Sequence, residues 1–334
     1  MRLLTVKDHE AGQRLDNYLN RYLKEASRGF LYKMLRKKNI TLNGKKAEGP
    51  EKLRAGDEIR LFLSEETIGN FLGKPEQAPR ATRRAEGTGT TIPRLPILYE
   101  DKDVIFFHKP AGLLSQKAKP EDISVCEVLT GLLLERGELS KEDLRTFRPA
   151  VCNRLDRNTS GVIAAGKTTA GLRELSAILR QRDVRKFYVC IVWGQVKEPA
   201  RMTAYLQKDE ETNVVTISKE GPGERIETAF APMAFGHDAT LLRVELITGK
   251  THQIRAHLAS CGLPIVGDAK YGDAAKNRSM AVQMPLRVPL LHSWRMDFPK
   301  ECSLPELAGK RIEAPVPPVF KRCMELLSLH SEFL

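Results

Sequence analysis

What most constrains the fold of this chain is the spacing of its apolar runs of strand type. Ile97-Leu98-Tyr99 and Val104 to Phe107 flank a charged turn, and the second run closes in Lys109-Pro110-Ala111-Gly112. Arg154 to Gly166 reads as strand–turn–strand, Arg185 to Trp193 as a buried strand ending at Gly194, and Thr240 to Ile247 as another strand. Short runs bounded by Gly or Pro and rich in β-branched and aromatic residues are strands rather than helices. Few helices separate them. Glu127 to Leu134 is one, and Leu172, Leu175 and Leu179 mark a second. Thr248 to Leu258 reads as a third, with Gly262 as its stop, His252 and Arg255 on one face, and Ile254, His257 and Leu258 on another. Without strict β–α alternation a doubly wound parallel fold is disfavoured, and an α+β or mixed α/β sheet is expected.

A separate pattern occupies the first 63 residues. Leu15, Tyr18, Leu19, Tyr22 and Leu23 recur at helical spacing. A second helix is expected after Ser27, with Leu31, Met34 and Leu35 inward and Lys33, Arg36, Lys37 and Lys38 outward. Ile40-Thr41-Leu42 reads as a strand, Asn43-Gly44 as a tight turn, and Ile59, Leu61 and Leu63 as the inward side of a last strand. From Ser64 the periodicity stops. Gly73, Pro75, Pro79, Gly87 and Gly89, with Arg80, Arg83 and Arg84, predict a flexible basic linker over 64–95, followed by a second domain over 96–334. A chain of 334 residues has room for both.

Charge separates the two parts. Residues 1–63 hold 15 basic and 8 acidic side chains, so +7 of the net +12 lies there. A small basic module points to a polyanion, and a Lys/Arg-rich helix face can follow a phosphate backbone without reading bases. The six cysteines are scattered with no CxxC pair, which argues against a zinc site or a disulfide framework. No apolar run approaches the roughly 18 to 20 residues of a membrane helix. The start, Met1 to Asp8, lacks a secretory signal's apolar core. The chain reads as a cytoplasmic monomer with no membrane partner and no metal.

Three stretches place polar groups on otherwise apolar elements: Arg154 and Asp156, Lys186 and Tyr188, His252 and Arg255. Taken singly, each has an ordinary explanation. Asp156 between two arginines could be a turn residue in a local ion pair. Tyr188 could be core, and the histidines structural. Their order and spacing decide otherwise. Arg154-Leu155-Asp156-x-x-Thr159-Ser160-Gly161, Arg185-Lys186-x-Tyr188 and Thr248-Gly249-Lys250-Thr251-His252-Gln253-Ile254-Arg255-x-His257-Leu258 resemble the RluA-type pseudouridine synthases, as does Gly262 to Asp268. The likeness runs from about Ile97 to Leu327. The first 63 residues resemble the ribosomal-protein S-four type RNA-binding domain, or αL motif, on Arg14-Leu15-Asp16, the Leu31 to Lys38 helix, Ile40 to Lys45 and Gly56-Asp57.

The resemblance implies a mixed, largely antiparallel sheet with flanking helices, carrying isomerisation of uridine to pseudouridine in RNA without a cofactor. Asp156 would be the nucleophile or assist departure of the base. Arg255 would hold it ionised and oriented, and Tyr188 would stack on the uracil or take the ribose C2′ proton. Arg154 would fill the space left by the flipped nucleotide. Lys109, Lys186 and His252 join it as substrate-facing residues, and Lys33, Arg36, Lys37 and Lys38 would contact RNA. Ribosomal RNA of the large subunit is the expected target, with transfer RNA the alternative. The chain departs from the family's usual residues at Asn153 (often His), His108 (often Asn), Lys250 (often Arg) and Ser115-Gln116 (often Val-His). Two competing readings are a catalytically silent RNA-binding or assembly factor and a carboxylate-dependent nucleoside hydrolase. The second needs another acid beside Asp156.

Overall fold

The structure, a computed structural model, describes residues 1–73, 93–209, 211–212, 214–286 and 288–330. Its first unit comprises β1 (Arg2–Thr5), α1 (Leu15–Tyr22), α2 (Arg28–Arg36), β2 (Ile40–Leu42), β3 (Lys45–Lys46), β4 (Glu58–Leu61) and α3 (Glu65–Leu72). The strands form a sheet in the order β1-β4-β2-β3. Ser27 caps α2 by accepting the Phe30 N–H at 3.2 Å, and Leu31, Met34 and Leu35 turn inward against Leu15, Tyr18 and Leu19 of α1. Asn43 (φ 51°) and Gly44 (φ 73°) are both left-handed, the backbone a two-residue hairpin turn demands.

The head of the expected linker is helical instead. Ser64 accepts the Thr67 N–H at 3.1 Å and starts α3, whose Ile68 is buried in the core of the first unit. The Ser-x-x-Thr cap and the spacing of Ile68, Phe71 and Leu72 were hidden beneath two glycines. The Pro-, Gly- and Arg-bearing part of that expectation, 74–92, lies outside the described residues.

The second unit runs β5 (Ile97–Glu100), β6 (Val104–Lys109), α4 (Val125–Glu135), β7 (Ala150–Val151), β8 (Ser160–Gly166), α5 (Thr169–Gln181), β9 (Arg185–Trp193), β10 (Ala200–Lys208), β11 (Val215–Ser218), β12 (Glu224–Phe235), β13 (Ala239–Leu246), α6 (Gln253–Ser260), α7 (Ala274–Gln283), β14 (Leu291–Asp297), β15 (Arg311–Glu313) and α8 (Pro318–Leu326). One sheet holds all these strands, in the order β11-β10-β12-β13-β9-β14-β8-β6-β5, with β15 on β14 and β7 on β8. Among the described residues every pairing in it is antiparallel except β8 with β14, so the sheet is mixed and largely antiparallel.

Alternation along the strands divides the core. Ile163, Tyr188, Cys190, Leu242 and Val244 face α4 and α6, while Val162, Ala164, Val189 and Ile191 face α5, α7 and α8. Helices on both faces explain why these strands read as continuous apolar runs. No helix among the described residues is long and apolar enough to cross a membrane.

Two expected elements are shorter than the pattern suggested. The strand over Arg154–Gly166 begins only at Ser160, leaving Cys152–Thr159 as a loop. The helix over Thr248–Leu258 begins at Gln253, and His252 stands before it in the left-handed region (φ 53°, ψ 15°). The Gln253 amide supplies the reason: its Oε1 accepts from Lys250 N–H and Thr248 Oγ1, and its Nε2 donates to Glu227 O and Thr228 Oγ1. That network ties the start of α6 to β12 and holds the preceding turn out of the helix.

The two units touch where Lys7 Nζ reaches Asp143 Oδ1 at 2.6 Å, Glu10 binds Thr146 Oγ1, and Arg21 donates to Thr146 O at 3.1 Å.

Candidate active site

The loop carrying Asp156 has no ladder to satisfy its backbone, so neighbouring groups must do it. They come largely from the segment after β6. Ser115 Oγ donates to Leu155 O at 2.8 Å and accepts Leu155 N–H at 2.9 Å, so one buried hydroxyl serves both polar groups of the residue before Asp156. Gly112 N–H donates to Arg157 O at 2.8 Å, and Lys109 Nζ donates to the same oxygen at 3.0 Å. Asn153 Oδ1 accepts Ala164 N–H at 2.7 Å, pinning the loop's entry to β8. Thr159 N–H closes it on Asp156 O at 3.1 Å. At its exit Gly161 (φ +120°) lies so close to β14 that an added Cβ would meet Ser293 O at 2.0 Å.

Across the cavity, α6 presents Arg255. Its Nη1 is 3.1 Å from Asp156 Oδ2, while Nε and Nη2 fork onto Asp268 at 2.7 and 2.9 Å. Burial opposes charge on Arg255, but the hydrogen bonds and field of Asp268, then Asp156, overcome it and hold the guanidinium above its ordinary value. Asp268 is likewise penalised by burial, yet Arg255 holds it below the usual carboxylate range. The two acids differ in reach. The Asp268 side chain is 0% exposed and Asp156 25%, so only Asp156 can meet a ligand. His252 Nε2 stands 4.0 Å from Asp156 Oδ2, and its Nδ1 is 3.0 Å from the Tyr271 hydroxyl. Burial lowers the His252 pKa against the pull of Asp156. Tyr188, 5% exposed on β9, is pushed up to about 12 by burial, opposed by a Ser293 hydrogen bond and reinforced by Asp156. Asp156, Arg255, His252 and Tyr188 open onto one cavity of about 380 Å³, walled also by Leu114, Arg154, Ile254 and Leu291.

Asp156, Tyr188, Arg255, Arg154 and His252 are thus brought together as the sequence suggested. Lys186 is not. It shares the strand face of Tyr188 but does not line the cavity, and burial lowers its pKa. Lys33, Arg36, Lys37 and Lys38 are exposed on and just after α2, and none of them lines it. Lys109 is corrected outright. It is 0% exposed, and its ammonium donates to the carbonyls of Pro110 (3.0 Å), Leu113 (2.7 Å) and Arg157 (3.0 Å). Burial pushes it down to about 8 against the field of Asp156. It braces the loop from a position closed to solvent. Ser115 and Asp268 were missed as site residues. An acid closing the apolar run Leu263-Pro264-Ile265-Val266-Gly267 was the available signal, since a buried carboxylate requires a cation.

Among the described residues no group of three or more His, Cys, Asp or Glu is placed to hold a metal ion. A carboxylate beside a desolvated guanidinium, with an aromatic ring opposite, suits nucleophilic or electrostatic work at an electron-poor carbon.

A family model described as RNA pseudouridylate synthase matches residues 103–260, and one described as S4 domain matches 13–59. The chain is 31% identical over 336 residues to ribosomal large subunit pseudouridine synthase C of Pasteurella multocida (strain Pm70), covering 98% of this chain and 94% of that protein. To the protein of that name from Escherichia coli (strain K12) it is 30% identical over 339 residues, covering 98% and 97%. Among solved structures it is similar in fold to human RNA pseudouridylate synthase domain containing 4, with TM-score 0.55 and 20% identity over 70% of this chain and 93% of that one.

Proposed function

The chain belongs to the RluA-type RNA pseudouridine synthase family, in the form that carries an S4 domain, and we propose that it converts specified uridines of large-subunit ribosomal RNA to pseudouridine with Asp156 as the catalytic carboxylate. The observation that carries this reading is the Asp156–Arg255 pair at 3.1 Å, the only one of Arg255's two acids open to the cavity. The relatives' names support the target, and a reaction on ribosomal RNA supports a place with the ribosome in the cytoplasm.

In the isomerisation the bond from ribose C1′ to uracil N1 breaks, the base turns, and C1′ bonds to C5. N1 gains a proton and C5 releases one, so no redox step or group donor is needed. Asp156 either attacks C1′ or stabilises the cation that forms there, with Arg255 fixing the oxygen that does so. A Tyr188 hydroxyl held up to about 12 keeps its proton near neutrality, which favours a role under the uracil ring over that of a resident base. Arg154 is exposed at the rim, where it can occupy the gap left when the target nucleotide leaves its stack. The hydrolase alternative loses its second acid, because Asp268 is fully buried and forked onto Arg255.

The test compares ribosomal RNA from cells with and without the gene, mapping pseudouridine by carbodiimide-blocked primer extension. One or a few stops are expected to vanish and to return with the wild-type protein. Asp156→Asn is expected to bind RNA but restore no stop, a loss of at least about 10³-fold in rate if the carboxylate is the reacting group. Stops that persist without the gene move the search to transfer RNA. An Asp156→Asn protein that restores them overturns the assignment.

A further inference from the structure

A second, larger cavity, of about 760 Å³, lies between the two units and shares no lining residue with the Asp156 cavity. Arg21 and Lys24 reach it from α1 and the turn after it, Lys141, Arg145 and Arg148 from the segment between α4 and β7, and Arg173 and Arg180 from α5. Among the described residues Glu142 is the one acid lining it, paired with Arg145 at 3.1 Å, and Glu174 pairs with Arg173 behind it at 2.9 Å. Seven cations therefore face two carboxylates around one concavity.

The walls are built across the junction. Arg21 of the first unit donates to Thr146 O of the second at 3.1 Å. Arg173 and Arg145 of the second unit donate to Gly12 O and Leu72 O of the first, each at 3.2 Å. Arg145 and Arg173 also pair through Nε with Glu142 and Glu174, but the carbonyls orient each guanidinium without adding negative charge, and each fork keeps N–H groups for another acceptor. So many like charges on one surface repel each other unless a polyanion lies among them.

We propose that this junction cavity is a second RNA site, taking the phosphate backbone of the substrate RNA at a distance from the reacting uridine. The inference rests on the RNA substrate of the reading above, and it assigns a surface distinct from both the active-site cavity and the basic face of α2. Backbone seated there would touch both units at once. Binding would then be coupled to their docking, and RNA held in this way would help offset the unstacking of the target.

The test uses the full chain and a fragment of ribosomal RNA that the wild type modifies. Lys141 and Arg180 are exposed and make none of the junction hydrogen bonds described, so a Lys141→Gln/Arg180→Gln double variant leaves that docking in place. A control double, Lys321→Gln/Arg322→Gln, removes equal charge from exposed positions on α8. The slope of log affinity against log salt is expected to fall by about 2 in the first variant, with affinity at least tenfold lower near physiological salt. The control is expected to match wild type in both. An unchanged slope, or an equal fall in the control, overturns the proposal. So does normal binding to naked RNA with impaired modification of ribosomal particles, which would put an acidic protein surface in the cavity instead. A wild type that binds with this salt dependence yet forms no pseudouridine would refute the catalytic reading and leave the cavity to be judged on its slope.

Discussion

The Ser115 hydroxyl is the smallest group on which the geometry of Asp156 depends. It both donates to and accepts from Leu155, and a side chain without an oxygen there would strand a buried N–H and a buried C=O together. Each stranded group costs about 1 to 3 kcal/mol. Ser115→Ala is therefore expected to lower unfolding free energy by about 2 to 4 kcal/mol in urea titrations. It should also slow single-turnover pseudouridine formation while RNA affinity holds, since the loop shifts but the basic surfaces do not. A variant as stable and as fast as wild type would show that Gly112, Lys109 and Asn153 hold the loop unaided. The same logic separates the two acids on Arg255. A buried, forked carboxylate fixes the guanidinium from behind, and the exposed one faces the cavity.

At the scale of elements the site depends on one parallel join in an otherwise antiparallel sheet. There β8 meets β14 through Ser160 with His292 and Gly161 with Ser293, and β9 brings Tyr188 beside Ser293 from the other side. Gly161→Ala would thrust a methyl group to 2.0 Å from Ser293 O at a φ of +120°, so β8 and β14 must part. A loss of more than about 3 kcal/mol is expected, or failure to accumulate soluble protein, and near-normal urea stability would show that the strands can shift without penalty. This join explains what the sequence could and could not disclose. Strands with local apolar runs, such as β6 and β9, were legible, as were α1, α2 and the Asn43-Gly44 turn, because their signals lie within a few residues. The glycine of the Asp156 motif was visible, but its reason, a backbone 132 positions later at Ser293, was not. The left-handed His252 was likewise unreadable, since it is Gln253's bonds to β12 that stop the helix there. Asp156, Arg255 and Tyr188, which motif order brought forward, share one cavity. Lys109 was misjudged because a lysine beside a proline turn looks solvated until the turn's carbonyls close around it.

For the molecule as a whole, burial makes acid the direction of weakness. His9, His108, His252, His257 and His292 are all lowered by burial, across both units and the junction. A folded-state pKa below the unfolded value means that the unfolded chain binds more protons, so stability falls as pH drops from about 6.5 toward each folded value. His292 is the extreme case. It is 0% exposed, its Nδ1 lies 2.8 Å from Ser160 Oγ and its Nε2 3.2 Å from Ala314 O, and it is pushed down to about 3. From 6.5 to about 3 this residue alone withdraws on the order of 4 to 5 kcal/mol. The lowered carboxylates, Asp268 and Asp143 among them, act in the same direction, but their contribution is lost only below about pH 4, so the interval from 6.5 to 4.5 belongs to the histidines. Urea midpoints are expected to fall steadily across that interval. His292→Gln keeps a donor and an acceptor but cannot titrate. It should start less stable at pH 7 and then decline by about 1 kcal/mol less per pH unit than wild type. Equal slopes would mean that His292 takes up its proton without unfolding, through a rearrangement at the β8–β14 join that should itself appear as altered Tyr188 fluorescence.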